Sequence, residues 1–119
     1  MRDDKENLIV KLTFEFALKI IKYTEKLRSL KKYEMASQLF NSGTSIGANT
    51  REAQNAESKA DFIHKFKISA KEADETDYWL NLCKASEFYP DPEEDLITDL
   101  EAIIKILSKI ISSSKKHNR

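Results

Sequence analysis

In a chain of 119 residues there are only two glycines and two prolines. An all-β domain needs a turn roughly every 8–12 residues, and glycine and proline build those turns. A sandwich or barrel is therefore excluded, and long helices are what remains. Both prolines fall in Tyr89-Pro90-Asp91-Pro92, the clearest break in the chain. The punctuation predicts four helices: Asp4 to Leu30, Tyr33 to Gln54, Ser58 to Ser86, and Pro92 to Ser113. Ser58 is a natural N-cap for the third. Asp91 is expected to cap the fourth, with Pro92 in its first turn. Acids lead that helix and lysines close it, as the helix dipole favours. Short connections between long helices predict an antiparallel up-down four-helix bundle. The whole span 1–119 reads as one domain, with 114–119 as a frayed tail.

Composition excludes several classes of function. Lys plus Arg and Asp plus Glu number 20 each, so formal net charge is zero. No global field attracts nucleic acid, although a local basic face remains open. No apolar run reaches the ~18 residues of a membrane span, and the charged start contains no signal-type stretch. No membrane partner is expected. The single cysteine, Cys83, forms no intrachain disulfide, and a reduced, cytoplasmic protein is the expectation.

The first helix is apolar on two sides. Ile9, Leu12, Phe16, Ile20, Tyr23, Leu27 and Leu30 recur at threes and fours and form a bundle seam. Val10, Phe14, Ala17, Leu18 and Ile21 fall on nearly the opposite side. A third strip holds Lys11, Glu15, Lys19, Lys22 and Lys26, with Glu15 and Lys19 at i,i+4 pair spacing. The third helix repeats the doubling. Phe62, Phe66, Ser69, Ala73, Thr76, Leu80 and Cys83 face inward, while Ile68, Trp79 and Leu82 point away. A monomer has no use for second apolar faces. Phe14, Leu18, Ile21, Ile68, Trp79 and Leu82 are therefore the predicted oligomer interface.

The second helix carries a small inward stripe of Ala36, Leu39, Gly43, Ile46, Gly47, Thr50 and Ala53. Mid-helix glycine costs about 1 kcal/mol relative to alanine, so two of them point to close helix approach. Beside the stripe runs a polar ladder, Gln38, Ser42, Ser45, Asn49 and Glu52, spaced four, three, four, three along one side. An uncharged ladder ending in one carboxylate suits a shared hydrogen-bonded contact between helices or subunits.

The ladder stretch, Ser37-Gln38-Leu39-Phe40-Asn41-Ser42-Gly43-Thr44-Ser45-Ile46-Gly47-Ala48-Asn49 and then Arg51-Glu52-Ala53, resembles the signature of the four-helix bundle proteins encoded in 23S rRNA intervening sequences. Lys59-Ala60-Asp61-Phe62-Ile63-His64-Lys65-Phe66 and Lys71-Glu72-Ala73-Asp74-Glu75-Thr76-Asp77-Tyr78-Trp79-Leu80 extend the likeness through the third helix. Two positions depart from the pattern: Asn41 stands where a basic residue is common, and Glu72 where a small one is. The resemblance implies a ring-forming bundle, a homopentamer. It also implies kinship with accessory proteins of diversity-generating retroelements, which bind nucleic acid and a reverse transcriptase. It speaks to fold and assembly more than to biochemical role.

No catalytic constellation stands out. His64 lies on the outer side of the third helix and His117 in the tail, and no Glu-x-x-His pair of the kind that builds di-metal bundles occurs. Neither a metal nor another cofactor is expected. Cys83 reads as a buried structural thiol. Asp77 falls within the inward stripe of the third helix, where an unpaired charge is costly, so a partner such as Arg51 or a hydroxyl is expected rather than a catalytic role. The chain therefore reads as a non-enzymatic oligomer. One expectation is weak RNA or DNA binding through Lys11, Lys19, Lys22, Lys26 and Arg51, with Lys65, Lys67 and Lys71 as further basic surface. The alternative is an adaptor that presents its surfaces to another protein.

Overall fold

The computed structural model describes residues 4–116, with side chains from Leu8 onward. Four helices form, α1 Asp4–Ser29, α2 Tyr33–Ala53, α3 Lys59–Ala85 and α4 Glu94–Lys116, with no strand among the described residues. Each helix packs its backbone closely on two others: α2 and α4 both lie between α1 and α3, and the diagonal pairs meet only through core side chains. The molecule measures 49 × 21 × 20 Å, a rod of nearly square section.

Local chemistry sets the ends. After α1 the Lys32 N–H donates to the Leu27 carbonyl (2.8 Å) and the Lys31 N–H to that of Arg28 (2.9 Å). This is a Schellman ending, and Lys31 takes the left-handed conformation at φ 63° that glycine usually fills. The reversal carries Leu30 off the seam, leaving it 49% exposed instead of on the predicted ridge. Ser58 caps α3 by accepting a hydrogen bond from the Asp61 N–H at 3.0 Å. The predicted cap of α4 is corrected. The helix begins at Glu94, so Asp91 and Pro92 lie in the connection before it. Packing overrides the local signal, because the prolines on either side of Asp91 are both anchored to the bundle. The connection is tied down elsewhere: Pro92 is buried, and the Tyr23 hydroxyl donates to the Pro90 carbonyl at 2.6 Å. At its other end α4 continues past Ser113 to Lys116, and His117 lies outside the described residues.

The core follows the seams. Ile9, Phe16, Ile20 and Leu27 of α1 meet Leu39 and Ile46 of α2, Phe66 and Leu80 of α3, and an aliphatic stripe on α4. That stripe is Leu96, Leu100, Ile103, Leu107 and Ile110, again at fours and threes. The two glycines lie against α1. A Cβ on Gly43 would stand 2.8 Å from Ile20 Cγ1, and one on Gly47 would stand 3.3 Å from the Thr13 carbonyl oxygen. Their missing side chains are the space that α1 occupies.

Buried hydroxyls join α2 to α3. Thr50 Oγ1 and Ser69 Oγ are 2.8 Å apart, and both reach the Ile46 carbonyl, at 2.8 and 2.7 Å. Thr76 Oγ1 is 2.9 Å from Ser42 Oγ and donates to the Glu72 carbonyl at 2.7 Å. Thr13 of α1 is equally enclosed and donates to the Ile9 carbonyl at 2.8 Å. Thr13, Thr50 and Thr76 tolerate such interiors because a helix carbonyl one turn back accepts the proton, and Ser69 instead uses a carbonyl of α2.

Candidate functional site

The second apolar face of α1 is open. Phe14 is 61% exposed, Leu18 54% and Ile21 38%. Toward α2 this face descends into a hollow of about 170 Å³, lined by Val10, Phe14, Ala17, Thr44, Ala48 and Arg51. Small residues on α2 make it shallow and wide. On α3, Leu82 is 38% exposed, while Ile68 and Trp79 are half-buried. Trp79 is thus only partly the outward residue of the sequence pattern. Its ring packs against the core and edge-on to Tyr78, 5.2 Å between centroids. Its indole Nε1 is buried without a hydrogen-bond partner in the subunit.

The polar ladder divides. Ser42 is buried and bonds Thr76 across the α2–α3 seam. Ser45 and Asn49 turn back to their own helix: Ser45 Oγ donates to the Asn41 carbonyl at 2.6 Å, and Asn49 Nδ2 to that of Ser45 at 2.9 Å. Glu52 accepts from Lys65 Nζ at 3.0 Å, a second link between α2 and α3. Gln38 is exposed.

The lysine strip meets acids that helical periodicity alone does not locate. Lys19 Nζ is held between Asp99 and Asp95 of α4, 3.0 Å from the latter, so Glu15 is not its partner. Hydrogen bonds to Asp99 and then Asp95 raise the Lys19 ammonium above its ordinary range. The same lysine lowers the Asp95 carboxyl. Lys22 lies 3.9 Å from Glu93. Lys19, Lys22, Glu93 and Asp95, with Tyr23, Lys26 and Asp91, line a cleft of about 260 Å³ whose charges are mixed. Lys11, Lys26 and Arg51 are exposed and have no ion-pair partner among the described residues.

One further reading changes. Asp77 is half-buried and accepts from Asn81 Nδ2 at 3.2 Å, one turn along its own helix, rather than pairing with Arg51. Glu72 is also half-buried; desolvation and then the Glu75 charge raise its carboxyl above the usual range. Cys83 is fully enclosed, and burial raises its thiol. Burial and then a hydrogen bond with that thiol raise the Tyr23 phenol. His64 is exposed. Among the described residues no cluster of three His, Cys, Asp or Glu could hold a metal ion, and no helix is long and apolar enough to cross a membrane.

The model of the 23S rRNA-intervening sequence protein family matches residues 5–109, which covers α2 and α3 and most of α1 and α4. The chain belongs to this family. A solved relative agrees with the assignment: a protein of unknown function from the S23 ribosomal protein family of Bacteroides thetaiotaomicron is 42% identical, with a TM-score of 0.85. The match covers 91% of this intervening-sequence protein and 98% of the solved chain. Among curated proteins none matches.

Proposed function

We propose that this intervening-sequence protein is a non-enzymatic assembly module working in a reducing, cytoplasmic setting. Its subunit is an antiparallel up-down bundle, and copies close into a ring, a homopentamer by the family resemblance. Helix direction is supported by the order of the cross-links, which pair 42 with 76, 50 with 69 and 52 with 65, then 19 with 95 and 22 with 93. The observation that carries assembly is the row Phe14, Leu18 and Ile21, exposed together on a helix whose other side already serves the core. Light scattering should give a multiple of the 13.8 kDa subunit mass. Phe14→Asp should reduce that mass to one subunit and leave the helical circular dichroism unchanged. A monomeric parent at micromolar concentration overturns the reading.

Weak, salt-sensitive binding of RNA or DNA is the second reading, favoured by exposed, unpaired Lys11, Lys26 and Arg51. A ring repeats each modest patch around its axis, and repeated contacts add through avidity. Lys19 and Lys22 contribute less, because α4 acids already neutralise them. An anisotropy titration of the assembled protein at low salt tests this, and absence of affinity leaves the protein-adaptor role.

A further inference from the structure

We infer that the ring contact is head-to-tail, with the α1/α2 face of one copy seated on the α3 ridge of the next and Arg51 set against Glu72 and Glu75. The inference rests on the assembly reading and names its two surfaces. Ile68, Glu72, Glu75, Trp79 and Leu82 succeed one another on α3 at four, three, four and three residues, so they form a single ridge. All but Leu82 are half-buried, and Leu82 is exposed. The ridge therefore presents large apolar groups and two carboxylates together. Neither carboxylate has an ion-pair partner among the described residues.

The opposing surface is its complement in size and sign. On α2 the outer residues Thr44, Gly47 and Ala48 are small, and beside Phe14 they leave the hollow described above. At the rim of that hollow stands Arg51, with no ion-pair partner among the described residues. Large residues meet small ones, and two unpaired acids meet an unpaired arginine. A guanidinium, with its planar fork of donors, suits carboxylates at an interface better than an ammonium does. Carboxylates half-withdrawn from water gain most from such a partner.

The placement of the two surfaces also favours closure. They occupy neighbouring sides of a rod of nearly square section, 21 × 20 Å across. Successive copies joined through neighbouring sides turn by a similar angle at each step. Interior angles of about 90° close four subunits and about 108° close five, whereas opposite sides would give an open filament.

Charge exchange tests this directly. Variant one carries Arg51→Glu. Variant two carries Glu72→Gln with Glu75→Arg. Each alone opposes like charges across every contact and should run as a monomer by light scattering, with parental helix content. Mixed in equal amounts, they should reassemble with strict alternation, into even-numbered or open species. All three substitutions in one chain should restore the parental mass. An oligomeric parent whose variants keep the parental mass overturns the head-to-tail charge pairing while assembly itself stands. Variants that dissociate, and that neither mixing nor combination rescues, overturn the pairing in the same way. A parent that is monomeric overturns the assembly reading and this inference together.

Discussion

Helices α2 and α4 stand at opposite corners of the bundle, each wedged between α1 and α3, and they solve the same problem with opposite chemistry. The buried side of α2 sets small and polar residues, Ala36, Ser42, Gly43, Thr50 and Ala53, among the larger Met35, Leu39 and Ile46. That of α4 is wholly aliphatic. Small residues bring backbones close, and close approach lets hydroxyls reach across to α3. The contacts of α2 are accordingly the most extensive in the molecule. Large aliphatic residues hold α4 by burial alone, and its polar links to α1 are charged and lie at the rim. One corner depends on close spacing, and the other depends on apolar area.

The sharpest way to break the α2 corner is to fill Gly43. A new Cβ meets Ile20 at its two γ-carbons, 2.8 and 2.9 Å away, which a β-branched side chain cannot swing clear. Gly43→Val should destabilise by about 3 kcal/mol in urea unfolding. Adding Ile20→Ala should recover part of the loss, because the two sites are in contact.

The next effect is on the hydroxyl lattice. Ser69→Ala removes contacts to both Thr50 and the Ile46 carbonyl in a fully buried place. A loss of about 1–2 kcal/mol is expected, independent of salt. If added salt rescued the variant, the lattice would not be the neutral, enclosed contact described.

The smallest effect belongs to the α4 rim. Lys19→Gln should lower Tm by about 2 °C at low salt and hardly at all at high salt. The Asp95 carboxyl is held below its unfolded value by Lys19, so its contribution is complete above about pH 4. It is lost as pH falls below that value, when the carboxylate takes up a proton. Acid should therefore loosen the α1–α4 seam before the α2–α3 seam, whose hydroxyls do not titrate. Hydrogen exchange at descending pH would report the order.

Much of this architecture is legible because sequence writes down periodicity. The seams of α1, α3 and α4 repeat at threes and fours, and Gly43 and Gly47 signal a close approach that Ile20 and Thr13 make. Ser58 is recognisable as a cap from its neighbours alone. What stays hidden depends on which residues meet across the fold. Lys19 looks like part of a free basic strip, yet its partners Asp95 and Asp99 are more than seventy residues away. The ladder on α2 shares one side, but burial divides it: Ser42 alone is enclosed and bonds Thr76 across the seam, while Glu52 reaches Lys65 from the exposed rim. The α3 stripe is buried as read, from Phe66 to Cys83, and Asp77, one residue past Thr76, sits on its flank and is only half-buried. The Asp91 cap fails because Pro92 is buried and Tyr23 holds the Pro90 carbonyl, contacts across the fold that no local signal records.

Cys83 has a practical meaning that its position in the core conceals. It is the chain's sole sulfhydryl, fully enclosed and held in its protonated, unreactive form. A maleimide dye added to the folded protein meets no native target. A cysteine placed at any exposed position becomes the only addressable one, with no background to remove first. Paired fluorophores or spin labels could then measure spans between neighbouring copies directly, and the residue that takes no part in chemistry is what makes the molecule usable as a ruler.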